Sequence, residues 1–362
     1  MACLVNTDPG FWRGRRVLVT GHSGFKGSWR GLWRARLGAA PVGLSLPAQD
    51  EAESERLGFL DHIMPGVTCD IRDGRAVQAA LERLAPEIVL HLAAQPLVRR
   101  SYRDPRLTFE TNVMGTLNLL EATRLQPSVR SVVIATTDKC YENHEWPWAY
   151  RENDPLGGHD PYSASKACTE ILAASWRSSF AAASDRSTAI ATARAGNVIG
   201  GGDWAQDRLV PDAIRAFSGG ETLTLRNPGA TRPWQHVLDA LSGYLLLAER
   251  LQTDGSGFAE AWNFGPDSGA ERSVSEVLEA LTWLWGDGAS WTSDGASGPH
   301  EAGRLALDSG KARQHLGWRP RLDFEAALAL TTRWYRRHRL GTPAADLIAA
   351  DIESYESGAI RS

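Results

Sequence analysis

The sequence predicts an α/β fold, a doubly wound parallel sheet with a smaller C-terminal lobe. Short apolar stretches alternate with helical ones through the first half of the chain, which is typical of βαβ units. The first apolar stretch, Arg16–Thr20, runs into a glycine-rich turn. After about residue 195 the alternation becomes irregular, with short strands between Gly- and Pro-rich turns, so we expect the second lobe there.

The elements follow in order from apolar spacing, which has a period of two residues in strands and 3.6 in helices. In the first half we predict strands at 16–20, 41–46, 67–70, 87–92, 131–136 and 188–194. The intervening helices are predicted at 28–37, 77–84, 111–125 and 162–176. The second half is predicted to hold strands at 222–225 and 262–264 and helices at 239–251, 275–285 and 324–336. The stretch 286–303 is rich in Gly, Ser and Asp and predicts a long loop.

Composition narrows the class of protein. The 362 residues carry 39 Lys and Arg against 43 Asp and Glu, a net charge of −4 that argues against a non-specific nucleic-acid binder. No apolar run reaches the roughly 18 residues of a membrane helix, and residues 1–10 lack the layout of a signal peptide. The 4 cysteines are scattered, which argues against a disulfide framework or a zinc site. We expect a cytoplasmic protein without a metal, nucleic-acid or membrane partner.

The turn after the first strand has the glycine spacing of a dinucleotide site. Gly21, Gly24 and Gly27 stand between a predicted strand and a predicted helix. Glycines there permit a tight turn and a close approach of the backbone to a diphosphate at the helix N-terminus. A merely structural turn is the alternative. The nucleotide-triphosphate loop is excluded, because Lys26 precedes Gly27 instead of following it.

The second strand does not reveal which residue would bind the ribose. An acidic side chain is expected about 20 residues after the turn, but the next acid, Asp50, falls in a predicted loop, and no arginine stands there. The choice between NAD and NADP therefore stays open from this strand. Asp70 and Ile71, after the third strand, would bracket an adenine; the alternative for Asp70 is a helix cap.

A tyrosine and a lysine mark a candidate catalytic site. Tyr162 and Lys166 are four residues apart and so share one face of a predicted helix. A lysine ammonium beside a phenol is expected to lower the pKa of the phenol, which then serves as a general base. Residues 136–139 end the fifth predicted strand, at the sheet edge where such folds bind ligands. Both elements therefore point to one cleft.

Longer runs make the chain resemble the extended short-chain dehydrogenase/reductases, and among them the CDP-glucose branch of the sugar-nucleotide 4,6-dehydratases. The resemblance covers about residues 11–334 and rests on runs at 19–29, 91–99, 137–141, 160–166, 194–204 and 232–237. It implies an NAD-binding Rossmann domain over 11–195. It also implies that 196–345 is mainly a substrate-binding lobe, with some segments returning to the Rossmann domain.

The activity implied by the resemblance is an internal redox cycle on CDP-glucose. NAD accepts hydride from C4 of the sugar, water is eliminated across C5 and C6, and hydride returns to C6, giving CDP-4-dehydro-6-deoxyglucose. Tyr162 would be the base for the C4 hydroxyl, Lys166 would also hold the nicotinamide ribose, and Thr137 would bond the C4 oxygen. Asp138 would protonate the departing C6 hydroxyl.

The resemblance also implies the residues around each ligand. Those expected around NAD, besides Tyr162 and Lys166, are Gly21, Ser23, Gly24, Phe25, Gly27, Asp70, Ile71, Leu92, Ala93, Ala94 and Asn112. Those expected around the nucleotide sugar are Gln95, Asn197, Arg208, Arg232, His300 and Glu301. Within this set Arg232 matches an arginine that pairs with the diphosphate, a task suited to its fork of donors.

Lys139 departs from the broader dehydratase pattern, in which Asp-Glu stands at this site with glutamate as the C5 base; the CDP-glucose branch carries Asp-Lys. A lysine can take the C5 proton only when neutral, so its pKa would have to fall from about 10.4. Our hypothesis is that Lys139 is largely neutral in the closed site. The alternative is a charged Lys139 that stabilises the enolate while water or Asp138 moves the proton.

The same resemblance predicts a homodimer, because the helices at 111–125 and 162–176 pair two subunits in that superfamily. The usual setting is the synthesis of deoxysugars for bacterial surface polysaccharide such as lipopolysaccharide. Two alternatives remain open. One is another sugar-nucleotide enzyme of the superfamily, either a 4-epimerase or a dehydratase for a different nucleotide. The other is a catalytically inactive NAD-binding regulator.

Overall fold

The computed structural model describes residues 8–180, 188–267, 269–295 and 302–360. Its strands are β1 (Arg16–Thr20), β2 (Ala40–Ser45), β3 (Gly66–Thr68), β4 (Ile88–His91), β5 (Ser131–Ala135), β6 (Ala189–Ala195), β7 (Asn197–Ile199), β8 (Thr222–Leu225), β9 (Thr231–Arg232), β10 (Trp234–His236), β11 (Ala261–Phe264), β12 (Arg272–Ser273) and β13 (Ser290–Ser293). A 7-stranded sheet has the order β11-β6-β5-β4-β1-β2-β3, and every neighbouring pair in it is parallel. The predicted doubly wound parallel sheet is confirmed.

Helices cover both faces of this sheet. They are α1 (Pro9–Trp12), α2 (Phe25–Arg36), α3 (Glu51–Leu60), α4 (Gly74–Leu84), α5 (Val98–Arg103), α6 (Pro105–Phe109), α7 (Gly115–Leu125), α8 (Pro161–Phe180), α9 (Leu209–Ser218), α10 (Val237–Asp254), α11 (Val274–Trp285), α12 (Phe324–Arg339) and α13 (Ala344–Ser357). A π-helical segment, Glu110–Met114, joins α6 to α7. In the described part of the chain, no helix has both the length and the apolar character needed to span a membrane.

The alternation of side chains along β1 explains why both faces are covered. Val17 and Val19 belong to one apolar cluster with Trp29 and Trp33 of α2, whereas Leu18 belongs to a second cluster on the other face. Because successive side chains of a strand point to opposite faces, an unbroken apolar run fits a strand buried on both sides. The first cluster continues through α10, and the second includes residues of α4, α7 and α8.

Part of the irregular second half returns to the sheet. Strand β11 pairs in parallel with β6 at the sheet edge, and α10 belongs to the cluster beneath β1. The remaining short strands form two-stranded pairs, β10 with β7, β12 with β9 and β13 with β8. The domain boundary at 195 and 196 stays a prediction.

The structure adds elements that the apolar pattern did not predict. Helices α1, α3, α5, α6, α9 and α13 were not predicted, and β13 lies inside the stretch that we expected to be a loop. In α3 only Arg56 and Leu60 are buried, so that helix carries little apolar periodicity. Strand β13 pairs with β8, a partner far away in sequence that no local pattern reveals.

The topology brings the candidate site residues to one sheet edge. The carboxyl ends of β6, β5, β4 and β1 lie side by side in the sheet. From β1 the chain adds β2 and β3 on one side and then β4, β5 and β6 on the other side, so the strand order changes direction between β1 and β4. Open α/β sheets bind ligands outside the carboxyl ends of their strands at such a switch point. The glycine turn follows β1, and residues 136–139 follow β5 at the same edge.

Candidate active site

The glycine turn fits a bound diphosphate. Gly21 has φ +69°, and a Cβ there would lie 2.7 Å from the backbone nitrogen of Ala93. A Cβ on Gly27 would lie 2.3 Å from the carbonyl oxygen of Gly21, so only glycine allows helix α2 to pack this closely against the turn. The N-cap residue of helix α2 is Gly24, so no side chain caps the start of the helix. Its first N–H groups are therefore open to an anion, which is how helix N-termini bind the diphosphate of a dinucleotide.

Some of the other residues predicted around the cofactor follow β4, as Leu92 and Ala93 do, and Asp70 follows β3. The backbone N–H groups of Leu92 and Ala93 donate to Thr20 Oγ1, each at 3.2 Å, which fixes the end of β4 against β1. Asp70 pairs with Arg72 at 2.5 Å, and this hydrogen bond holds the pKa of the carboxyl below its usual range. The alternative of a helix cap for Asp70 is wrong, because Asp73 caps α4.

Tyr162 lies in the first turn of α8 and lines a large cavity at the carboxyl edge of the sheet. Burial raises the pKa of its phenol to about 12, while a hydrogen bond with Thr137 and the charge of Arg208 act in the opposite direction. The expectation of a lowered phenol pKa is therefore wrong for the chain alone. The physical reason is that removing the phenolate from water outweighs the favourable neighbours.

Lys166 lies one helical turn after Tyr162, as the spacing predicted. Its ammonium donates a hydrogen bond of 3.1 Å to the carbonyl oxygen of Ala135, at the end of β5. Burial lowers the pKa of Lys166 to about 8, and Glu170 opposes that shift. The bond to Ala135 ties helix α8 to the end of β5, directly before the segment with Thr137 and Asp138.

The acid and the lysine after β5 form a close pair. Lys139 Nζ lies 3.6 Å from Asp138 Oδ1 and donates to Asn197 Oδ1 at 3.3 Å. Thr137 Oγ1 donates to the same Asp138 oxygen at 3.0 Å. The second oxygen, Asp138 Oδ2, is buried and has no hydrogen-bond partner within the described residues. A buried carboxyl with an unused oxygen is suited to share a proton with a ligand.

A buried ion pair supports this wall of the site. Arg194 of β6 pairs with Glu170 of α8 at 2.9 Å, and Glu170 also accepts hydrogen bonds from Thr136 and Thr192. Arg194 donates a second bond of 2.8 Å to the hydroxyl of Tyr141. The pair holds β5, β6 and α8 together directly behind Thr137 and Tyr162. Its role was not predicted from the sequence.

One cavity of about 1260 Å³ opens at this edge of the sheet. The predicted site residues in its wall are Thr137, Lys139, Tyr162, Asn197, Arg208 and Arg232. Arg208 pairs with Asp203 at 2.7 Å, which orients its guanidinium. Arg232 donates to the carbonyl oxygens of Thr231 and Gly303. The cavity wall therefore carries two oriented guanidinium groups that can pair with an anionic ligand.

Gln95 and Asn112 do not belong to the cavity wall. The Asn112 amide accepts from the Gln95 N–H at 2.8 Å and donates to Ser165 Oγ at 2.8 Å. The Gln95 amide bonds Thr108 and Leu97. Both side chains thus brace the segment after β4 against α8. His300 and Glu301 lie outside the described residues.

Sequence reasoning missed further cations of the wall, among them Lys26, Arg99 and Arg226. Lys26 stands inside the glycine turn. From the sequence, its place before Gly27 indicated only that the turn is not a nucleotide-triphosphate loop. Arg99 ends one of the runs that carry the resemblance, and it pairs with Asp207 at 3.3 Å. Only their shared cavity marks these three side chains as a group.

A dinucleotide turn, a Tyr–Lys pair on one helix and a buried acid after β5 stand at the same edge of the sheet beside one large cavity. This combination defines an extended short-chain dehydrogenase/reductase. The sequence model described as GDP-mannose 4,6 dehydratase matches residues 18–331. The chain belongs to this family of sugar-nucleotide dehydratases.

Individual relatives agree with this family. The chain is 45% identical over 357 residues to the CDP-glucose 4,6-dehydratase of Salmonella typhimurium, covering 98% of this chain and 99% of that protein. The solved structure of DesIV, a dTDP-glucose 4,6-dehydratase from Streptomyces venezuelae with NAD bound, matches with a TM-score of 0.76 and 28% identity over 91% of this chain and 99% of that one. The UDP-glucose 4-epimerase of Thermus thermophilus in complex with NAD matches with a TM-score of 0.76 and 29% identity over 89% and 99%.

Proposed function

We propose that this chain is a CDP-glucose 4,6-dehydratase that uses NAD and releases CDP-4-dehydro-6-deoxyglucose. The observation that carries the proposal is the Asp138–Lys139 pair, 3.6 Å apart, in which Lys139 lines the cavity with Tyr162 and Asp138 is buried directly behind Lys139. An epimerase has no water to eliminate and no need for an acid there. The 45% identity to a CDP-glucose 4,6-dehydratase over 98% of the chain supports the same choice.

Bound NAD would supply a hydride acceptor and donor. Tyr162 would take the proton of the C4 hydroxyl, and Thr137, its hydrogen-bond partner, would hold the C4 oxygen. Because burial raises the pKa of Tyr162 to about 12 in the chain alone, the phenol needs positive charge nearby to ionise. Arg208 already acts in that direction, and Lys166 lies one helical turn away.

Asp138 would protonate the departing C6 hydroxyl through Oδ2, the oxygen that no described residue bonds. Lys139 lies 3.6 Å from the same carboxyl and is 28% exposed in the cavity wall, so it would meet the sugar directly, whereas Asp138 is fully buried beside it. Our hypothesis stays that a neutral Lys139 takes the C5 proton, and the alternative stays a charged Lys139 that stabilises the enolate.

The diphosphate of the nucleotide sugar would lie against Arg208 and Arg232, with Asn197 beside the sugar. Arg208 is held by Asp203 and Arg232 by the carbonyls of 231 and 303, so both guanidinium groups are oriented before a ligand binds. His300 and Glu301 are proposed to bind the nucleotide.

We also propose a cytoplasmic homodimer that serves deoxysugar synthesis for surface polysaccharide. Large apolar side chains are exposed on the π-helical segment and on α7 and α8, among them Met114, Leu125 and Ile171. Exposed apolar side chains grouped on neighbouring elements are typical of an interaction surface. These are the helices for which subunit pairing was predicted.

The test is a mass measurement of the reaction products. Purified protein with NAD is incubated separately with CDP-glucose and with dTDP-, GDP- and UDP-sugars, and each nucleotide sugar is weighed for the loss of one water. Loss from CDP-glucose alone is the expected result. Loss of water from a different nucleotide sugar would support the dehydratase reaction and overturn the proposed specificity for CDP. Loss of water from none of them, with NAD bound, would favour an epimerase or a binding protein.

A further inference from the structure

The proposed reaction releases one proton at C4 of the sugar and consumes one at C6. Oxidation breaks the O–H and C–H bonds at C4, so that hydride passes to NAD and the proton passes to Tyr162. Elimination breaks the C6–O bond, and the departing hydroxyl leaves as water with a proton from Asp138. The C5 proton is removed and later replaced, so it adds nothing to the balance. Each turnover therefore leaves Tyr162 with one proton more than before and Asp138 with one fewer.

Asp138 needs a proton in every turnover but has no direct contact with solvent. Its side chain is 0% exposed, and its Oδ2 has no hydrogen-bond partner within the described residues. Tyr162, which holds the surplus proton, is 8% exposed. A path inside the protein from Tyr162 to Asp138 would therefore restore both groups without exchange with water.

The hydroxyl of Thr137 connects these two groups. Thr137 Oγ1 donates a hydrogen bond of 3.0 Å to Asp138 Oδ1, and it is also hydrogen-bonded to Tyr162. A hydroxyl has one proton to donate and two lone pairs that accept. Because the proton of Thr137 is directed to Asp138, its oxygen accepts from the Tyr162 O–H. Both hydrogen bonds therefore run in one direction, from Tyr162 to Asp138.

The local backbone holds Thr137 in this orientation. Thr137 is the N-cap of the short turn Asp138–Cys140, and its Oγ1 accepts the Lys139 N–H at 3.4 Å. This contact uses the second lone pair of the oxygen. The hydroxyl then has its one donor and both acceptor positions occupied, which keeps its proton directed to Asp138.

The protonation state of Tyr162 makes such a path useful. Burial raises the pKa of its phenol to about 12, so the phenol of the chain alone keeps its proton near neutral pH. A protonated phenol can take the C4 proton only as its own proton leaves. The charged groups that face it are Arg208, Asp160 and Asp138. Arg208 is a cation and Asp160 already accepts the N–H and the hydroxyl of Ser163, which leaves Asp138 as the acceptor.

We propose that Thr137 relays the proton of the C4 hydroxyl from Tyr162 to Asp138, which then delivers it to the departing C6 hydroxyl. Asp138 is thus the final base of the oxidation as well as the acid of the elimination. The released water consists of the C6 hydroxyl and the proton that oxidation set free at C4. The inference rests on the proposed dehydratase function and is independent of which nucleotide the cavity binds.

The test isolates the oxidation step with CDP-6-deoxyglucose, which has no C6 hydroxyl to eliminate. The full chain with NAD is mixed rapidly with this sugar, and the absorbance of the reduced cofactor is followed from pH 5.5 to 9. Without the relay, Tyr162 must first lose its own proton to solvent. The rate of Thr137→Val should therefore rise roughly tenfold per pH unit below the pKa of the phenol.

The ratio of the wild-type rate to the variant rate carries the result. For Thr137→Val this ratio should fall as pH rises, whereas Thr137→Ser, which keeps the hydroxyl, should give a level ratio. Lys26 and Lys166, with pKa values of about 7 and about 8, titrate in the same range, but they are present in every protein compared and cancel in the ratio. A level ratio for Thr137→Val would mean that Thr137 only holds the C4 oxygen, and it would overturn the proposal.

A second variant tests the other end of the path without any change at Thr137. Asp138→Asn replaces the carboxylate with an amide that cannot take the proton, so its oxidation of the same sugar should show the pH dependence of Thr137→Val. Circular dichroism establishes that the variants are folded. Oxidation by Asp138→Asn with the wild-type pH profile would overturn the relay and leave the dehydratase function intact. A wild type that removes water from no nucleotide sugar would instead overturn the function on which the relay rests.

Discussion

At the scale of single residues, the phenol of Tyr162 is the group whose removal should isolate the oxidation step. Tyr162→Phe keeps the ring in the first turn of α8 and removes the proposed base. We expect kcat to fall by roughly 10²–10⁴, the range that general-base catalysis contributes. The affinity for NAD should change little. Steady-state rates and calorimetry measure both, and Tyr102→Phe, on the exposed helix α5, serves as the matched control.

Lys139 can be tested by isotope exchange. In heavy water, a C5 base delivers solvent deuterium to C5 of the product, so Lys139→Met should lose this incorporation if the lysine takes the proton. Lys311→Met removes a lysine that pairs with Glu260 outside the cavity wall, and it should leave incorporation unchanged. Deuterium that still enters C5 at the wild-type rate in Lys139→Met would rule out Lys139 as the base.

The sequence predicted pairs of residues better than it predicted their environments. The four-residue spacing of Tyr162 and Lys166 requires only a helix, so their shared face could be predicted. The raised pKa of Tyr162 depends on burial by segments far away in the chain, and no local pattern contains that information. The same holds for Lys26, because only the folded cavity brings it near Asp138 and Lys166.

At the scale of elements, Asp239 joins α10 to the C-terminal part of the chain. It is fully buried and accepts hydrogen bonds from Tyr355 Oη of α13 at 2.7 Å and from the Arg321 N–H at 2.8 Å. Burial raises its pKa from 3.8 to about 6. The folded protein therefore keeps the proton of Asp239 at pH values where the unfolded chain has lost it.

This difference fixes the sign of a pH effect on stability. Between pH 4 and 6 the unfolded chain binds fewer protons at this site, so its contribution to the free energy of unfolding falls as pH rises, by up to about 3 kcal/mol. Asp351 and Glu249 also have raised pKa values, about 6 and about 7, and add to the measured slope. Asp239→Asn should therefore make the slope shallower by its own share, whereas Asp323→Asn, at the cap of α12, should leave it unchanged. Urea denaturation at pH 4, 5, 6 and 7 measures the slope. An identical slope in Asp239→Asn and the wild type would contradict the assignment.

Elements with strong apolar patterns could be predicted nearly to their ends. Strand β1 and strand β8 have the predicted bounds, and α11 differs from its prediction by one residue. The pattern failed where a helix buries little, as in α3, or where a strand depends on a distant partner, as in β13. Helix α13 buries Leu347, Ile348, Ile352 and Tyr355 at helical spacing, so its signal was present in the sequence.

At the scale of the whole molecule, the two halves of the chain share one core. Helix α10 and strand β11 come from the second half and complete the sheet and the cluster beneath β1. The sequence predicts that some segments after residue 195 return to the Rossmann domain, and the boundary itself stays a prediction. The site lies where both halves meet, since Tyr162 and Lys139 come from the first half and Arg208 and Arg232 from the second.

The proposed homodimer gives a prediction about assembly. Ile171 is 56% exposed on α8, one of the two helices for which subunit pairing was predicted. In a two-fold interface each substitution occurs twice, so Ile171→Glu would place two carboxylates in an apolar contact. Sedimentation of the wild type should give a dimer, and Ile171→Glu should give a folded monomer. Trp283→Glu, at a side chain 82% exposed on α11, should remain a dimer. A wild-type monomer would overturn the proposed dimer, and loss of the dimer in Trp283→Glu alone would place the interface elsewhere.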